Sequence, residues 1–110
     1  MATAAYWQRG ESLDYTNGGT STIEANTIVA YGTRIGVIGC DIAAGETGSL
    51  HVSGVFEMPK GSGAITAGAE VYWDATNAVI TTTASGNVHA GFAAQAAAAD
   101  AATVLVKINA

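Results

Sequence analysis

Charge is scarce in this chain, and basic charge is scarcest: four Lys and Arg stand against nine Asp and Glu, for a formal net charge of -5. A phosphate backbone is held by clustered cations, whereas Arg9, Arg34, Lys60 and Lys107 are scattered along the sequence, so direct nucleic-acid binding is not expected. The single cysteine, Cys40, excludes an internal disulfide, and a lone thiol of this kind is expected as a small buried apolar residue. No run approaches the ~20 apolar residues of a membrane helix, and the start M-A-T-A-A-Y-W-Q-R-G has no basic segment leading into an apolar core. A soluble product made in the cytoplasm, with no membrane partner, is the expectation. A phosphate loop, G-x-x-x-x-G-K-[ST], is missing, since no glycine precedes a lysine; a G-x-S-x-G elbow and an H-E-x-x-H pair are missing too.

What is present is small and apolar. Hydrophobic residues make up 49% of the chain, but much of that is alanine, which buries little area per residue and predicts a thin core that oligomerisation would supplement. A chain of 110 residues supports one domain and one core. The division expected is an extended N-terminal arm over residues 1–11 and a single β domain over residues 12–110. A surface of Ala, Gly and Thr is more easily covered by neighbouring protein than one dense in Lys and Glu.

From Gly48 onward, Leu50, Val52, Gly54 and Phe56 fall on one face while Ser49, His51, Ser53 and Glu57 fall on the other, which predicts one long half-buried strand from Gly48 to Glu57, stopped at Pro59. Ser12–Tyr15 reads as a strand closed by the Thr16-Asn17-Gly18-Gly19 turn. Thr27–Tyr31 and Arg34–Gly39 read as a hairpin around Gly32-Thr33, a glycine-first loop suited to a type II′ turn. Ala69–Trp73 and Ala78–Thr83 form a second hairpin across Asp74–Asn77, followed by strands at Val88–Ala94 and Thr103–Ile108. About eight short strands predict an all-β barrel or sandwich.

The halves also resemble one another. Ile23–Tyr31 parallels Ile65–Trp73 at an offset of 42, and Gly45–Val52 parallels Ala99–Val106 at an offset of 54, so two pseudo-repeated β-units are expected, with the extra residues of the second around Thr82–His89. The stretch A-A-Q-A-A-A-A-D-A-A at Ala93–Ala102 has the highest helix propensity in the chain. It lacks a large apolar stripe to dock a helix, so strand then loop is expected, with at most a turn or two of helix.

His51 and His89, with Cys40 and Asp41, are the residues that could be imagined as metal ligands or as a nucleophile and base, but their spacing matches no ligand motif. Solvated or interface-facing histidines are expected instead. Glu46 and Glu57 flank one expected strand with ten residues between them, and at about 3.3 Å per residue they are not an acid/base pair unless the sheet folds sharply. No catalytic residue, metal site or cofactor is expected. Trp73 should pack in the core beside Val71. In the arm, Tyr6 and Trp7 serve either as an interface anchor or as packing against the chain's own barrel. Ala5, Tyr6, Trp7, Gln8 and Arg9 are the candidate interface residues.

The order L-D-Y-T-N at Leu13–Asn17, R-I-G-V at Arg34–Val37, D-I-A-A-G-E-T-G at Asp41–Gly48, G-V-F-E-M-P-K at Gly54–Lys60 and V-Y-W-D at Val71–Asp74 resembles a tailed-phage family of small capsid cement, or head decoration, proteins. Some members carry a recombinase label, which the missing phosphate loop does not support here. The resemblance runs from Leu13 to Ile108; its one departure is the Ala97–Ala102 loop, without glycines where the first copy has Gly45 and Gly48. It implies a structural virion protein, made in the host cytoplasm and not an enzyme, that binds the outer face of a phage head as a homotrimer and clamps the major capsid protein. The rival reading is a β-barrel binding protein of the head, recognising a receptor or glycan through Trp7, Tyr31, Tyr72 or Trp73.

Overall fold

The computed structural model describes every residue except 1, 7 and 9. Nine strands run in order: β1 (Ser12–Thr16), β2 (Ile28–Tyr31), β3 (Arg34–Ile38), β4 (Thr47–His51), β5 (Val55–Pro59), β6 (Glu70–Asp74), β7 (Val79–Thr81), β8 (Val88–Ala93) and β9 (Thr103–Ile108). They form two sheets, ordered β1-β4-β3-β2 and β5-β9-β8-β6-β7, in a flattened body of 43 × 42 × 22 Å. Among the described residues there is no helix. Ala93–Ala102 is strand end and loop, because Ala97 exchanges both backbone bonds with Ile65 at 2.8 and 2.9 Å and so leaves the helical path.

The barrel expectation is corrected: neither sheet closes into one. In the second sheet the edge strands β5 and β7 meet at a single parallel bridge, Lys60 to Ile80, where Gly61 N–H reaches Ile80 O at 2.9 Å. In the first sheet β1 and β2 stay apart as free edges.

The long strand expected from Gly48 to Glu57 is corrected as well. It breaks at Val52–Gly54 and supplies β4 to one sheet and β5 to the other. Gly54 sits at φ 119, a conformation that needs the missing Cβ. Val52 N–H is taken by Glu11 O on one side of the break and Gly54 O by Ile108 N–H on the other. The alternation is blind to this because the phase survives: Leu50 and Met58 are both buried. Pro59 ends β5 on a sheet edge, where no ladder donor is lost.

Core burial is unequal. The larger cluster lies in the second sheet and includes Met58, Val71, Trp73, Ile80, Val104, Val106 and Ile108. The smaller one, inside the first sheet, is Ile38, Ile42 and Leu50, with Tyr15, Ile23, Val29 and Val52 packed against it. Strand β3 joins the two, since its two faces alternate: Ile38 belongs to the small cluster, whereas Ile35 and Val37 belong to the large one.

The backbone bonding recurs between sheets. Ile23 and Ile42 exchange bonds at 2.9 and 2.8 Å, as Ile65 and Ala97 do. Asn26 N–H reaches Ile38 O at 2.7 Å, and Gly68 N–H reaches Ala93 O at 2.8 Å; Asn26 and Gly68 both have positive φ, 71 and 81. The strand registers set Leu13 against Leu50 in one sheet and Phe56 against Val106 in the other. Setting these two pairs against each other gives an offset of 56 between Leu50 and Val106, two beyond the 54 read from sequence. The main difference is one connection. β2 turns into β3 through Gly32 and Thr33, with Gly32 at φ 63, while β6 reaches β8 through residues 75–87, which carry β7.

Candidate functional site

Of the residues singled out in the arm, Ala5, Tyr6 and Gln8 are exposed and belong to no strand, Tyr6 at 84%. Trp7 and Arg9 lie outside the described residues. Just after these residues, Ser12–Thr16 pairs with Thr47–His51 along the whole of β1.

The imagined ligands are not brought together. His51 is half-buried, with Nδ1 2.9 Å from Ser12 Oγ across the β1/β4 pair. His89 lies in the other sheet, 3.7 Å from Glu70 Oε1 and edge-on to Tyr72 at 5.4 Å. Cys40 is exposed, which corrects the buried thiol expected from sequence. It sits on the loop between β3 and β4, where Gly39 N–H is held by Ser49 O and the next residue turns outward. Asp41 caps a neighbouring loop by accepting from Ala25 N–H at 2.8 Å. Glu57 accepts from the Thr103 hydroxyl at 3.1 Å. Among the described residues no three His, Cys, Asp or Glu side chains gather at one point.

Four polar residues hold the loops. Lys60 is 7% exposed, and its ammonium donates to the carbonyls of Gly61, Gly63 and Ala99 at 2.8, 2.7 and 3.2 Å. Asn17, 2% exposed, occupies the matching place after β1: its Nδ2 donates to Ser21 O and Ile42 O at 2.8 and 2.9 Å, and its Oδ1 accepts from Gly19 N–H. Asn109 donates to Ile35 O and Val52 O at 2.8 and 2.9 Å, tying the last strand to the first sheet. Asp74 accepts from Thr76 and Asn77 and shapes the β6/β7 turn; the Asn77 side-chain amide, then the backbone N–H groups of Asn77 and Thr76, hold its carboxyl below the usual carboxylate range. Asn17, in the Thr16–Gly19 turn, and Asp74, in the Asp74–Asn77 turn, were visible in the sequence as turn residues, while their bonding partners were not.

The aromatic residues sort by sheet. Trp73 is buried and Tyr72 half-buried against His89, so neither offers an open stacking face, while Tyr31 is 45% exposed. Tyr31 helps line an open cavity of about 330 Å³ with Leu13, Arg34, Val52 and Asn109, at the mouth of the first sheet. Its walls are apolar on the Leu13 and Val52 side, and its charge is the exposed Arg34. A cavity of this make-up can hold an apolar side chain with a carboxylate beside it; it has no paired acid and base for chemistry.

The phage cement protein family model matches residues 7–108. The chain belongs to the phage cement protein family. No curated protein and no solved structure matches it. The matched residues take in all nine strands of the structure.

Proposed function

We propose that this chain binds the outer surface of an assembled phage head and stabilises its lattice of major capsid protein, acting as a homotrimer. The observation that carries the reading is the family match across residues 7–108. The physical logic is linkage: a protein that binds the assembled lattice and not its loosened form stabilises the lattice by mass action, and several weak contacts from one oligomer add avidity. Residues 1–11 act as an arm and residues 12–110 as the domain it serves. Within the arm, Ala5, Tyr6, Trp7, Gln8 and Arg9 make contact with capsid or with a neighbouring copy. In support, Tyr6 presents a large aromatic ring to solvent, a state that protein contact relieves.

The two sheets are read as two copies of one β-unit, with β1-β4-β3-β2 corresponding to β5-β9-β8-β6 and β7 added to the second. The protein is made in the host cytoplasm and resides on the virion surface, with neither nucleic acid nor membrane as a partner. The test adds purified protein to expanded heads that lack it and measures saturation and the temperature of rupture. Saturable binding with a higher rupture temperature is expected, and no binding to heads refutes the reading. A truncation starting at Glu11 that binds undiminished removes the arm residues from the interface.

A further inference from the structure

The registers of the two sheets allow each residue of the first to be set against its counterpart in the second. Leu13 corresponds to Phe56, Tyr31 to Trp73, Arg34 to Val88 and Val52 to Ile108. All four counterparts belong to the large core cluster or pack against it. In the first sheet the same four positions line the open 330 Å³ cavity. The place that is core in one unit is therefore a cavity in the other.

Strand β7 makes the difference. It pairs antiparallel with β6, Trp73 opposite Ile80, and buries the Ile80 side chain completely. At its far side it meets Lys60, the counterpart of Asn17. Strand β2 has no such neighbour among the described residues. Its bonded partners on β3 include Tyr31 with Arg34 and Val29 with Gly36, and Thr27 O accepts from Ile38 N–H. By alternation Ile28 and Ala30 turn their N–H and C=O groups away from β3, to an edge that no described residue pairs with. The exposed ring of Tyr31 stands there, where Trp73 is buried in the other unit.

We propose that the free edge of β2 accepts one extended strand of the major capsid protein. This strand runs antiparallel to β2 and seats a β-branched apolar side chain in the cavity over Leu13, Tyr31 and Val52. The proposal rests on the head-binding reading above. β7 is the template for the occupant, with Val79-Ile80-Thr81 as the pattern of side chains. Arg34 in place of Val88 adds a preference for a carboxylate next to the apolar residue. The chain's own arm, A-T-A-A-Y-W-Q-R from Ala2 to Arg9, has neither an Ile or Val nor an acid, so the arm of a second copy does not fit the slot. Strand addition of this kind draws affinity from main-chain bonds and specificity from the alternate side chains.

The first arm of the test uses isotope-labelled protein and the nonapeptide T-N-A-V-I-T-T-T-A, copied from residues 76–84, followed by NMR. Shifts at Ile28–Gly32, Leu13 and Val52 are expected, and replacing the peptide's isoleucine by aspartate weakens binding by about tenfold or more. Ala30→Pro removes an outward N–H while leaving the β2/β3 bonds in place, and Leu13→Glu puts a charge on the cavity floor. Both should abolish the peptide shifts and weaken saturation of heads by about tenfold, with folding checked by the dispersion of the same spectra.

Shifts elsewhere, or equal binding of the aspartate peptide, overturn the proposal. Heads saturated equally by wild type and by both variants overturn it while the head-binding reading stands. Wild-type protein that does not bind heads overturns both. Self-association that Ala30→Pro removes identifies a second copy as the occupant and also overturns it.

Discussion

The two sheets share their strand order and their backbone bonding, yet one is filled and the other open. The second is wrapped by β7, which brings Ile80 to complete burial and covers Trp73. The first stops at β2, has a small cluster of its own made of Ile38, Ile42 and Leu50, turns Ile35 and Val37 of β3 into the large cluster, and leaves Tyr31 in solvent. Similar hydrogen-bonded frames thus carry very different amounts of buried apolar area, the larger source of folding free energy. The contrast is one of packing: the second sheet carries most of the buried apolar side chains, and the first leaves an open cavity. The loops obey the same contrast, since a lysine ammonium gathers three carbonyls in the filled unit where an asparagine amide gathers two in the open one.

The sharpest break of the comparison is at its matched glycines, Gly91 and Gly36. Gly91 has φ 143, and an added Cβ would fall on the Lys107 carbonyl oxygen. It lies beside a bulge, as Val71 faces Gly91 while Tyr72 faces His89, leaving Ala90 extra. Gly36 has an ordinary φ, and its Cβ would come within 2.5 Å of Leu50 Cδ1, a side chain that can shift. Gly91→Ala should cost about 4 kcal/mol or more in denaturant unfolding, and Gly36→Ala about 1–3 kcal/mol. Equal losses would show that the two strands are packed alike.

Next in size is Ile80→Ala, which leaves a cavity in the large cluster; a loss of about 2–5 kcal/mol in denaturant unfolding is expected, with a red shift of tryptophan emission as Trp73 wets. Leu13→Ala in the open unit should cost under about 1.5 kcal/mol, since Leu13 already lines a cavity. A similar cost at both sites would mean that the first unit is as tightly filled as the second. Asn17→Ala and Lys60→Met come after, at about 1–2 kcal/mol each in chemical unfolding, because the Ile42 carbonyl, buried, and the part-buried carbonyls around Lys60 lose their donors. A change at Lys60 that costs nothing would refute its clamping role.

The smallest effect belongs to Asp74, on the surface of the filled unit. Its folded pKa is depressed by Asn77 and Thr76, so its contribution is present above the unfolded value of about 3.9 and is lost as pH falls through the folded one. Asp74→Asn should lower the melting temperature slightly at pH 7, by an amount that shrinks as the pH falls below the usual carboxylate range. A difference that persists at low pH would assign the effect to turn geometry rather than charge.

Much of the fold was legible in the residues alone. Both hairpins, the Gly32-Thr33 loop, the stop at Pro59 and the strand at Thr103–Ile108 follow from β-branched runs and turn residues. The break at Gly54 was not legible, since an even-residue face continues through it and only the partner strands differ. Nor was the exposure of Cys40, because a loop and a strand end read alike in a small-residue stretch. In the candidate site, Tyr31 was visible as one aromatic among several, while Leu13, Arg34, Val52 and Asn109 are distant in sequence and meet only because β1 and β3 both pair with β4 and Asn109 bonds to Ile35 and Val52.

By itself the sequence determined that the chain is all-β, that its strands are short, that its cations are too few to hold a phosphate backbone, and which family its motifs resemble. These are local properties, set by side-chain alternation, turn chemistry and composition. Tertiary structure alone decided that residues 48–57 serve two sheets, that Lys60 and Asn17 are buried clamps, and that one unit is closed by β7 while its counterpart ends at a free edge. Those outcomes depend on which strands find each other across long stretches of chain, and hydrogen-bond pairing between distant strands leaves no periodicity in the residues that make it.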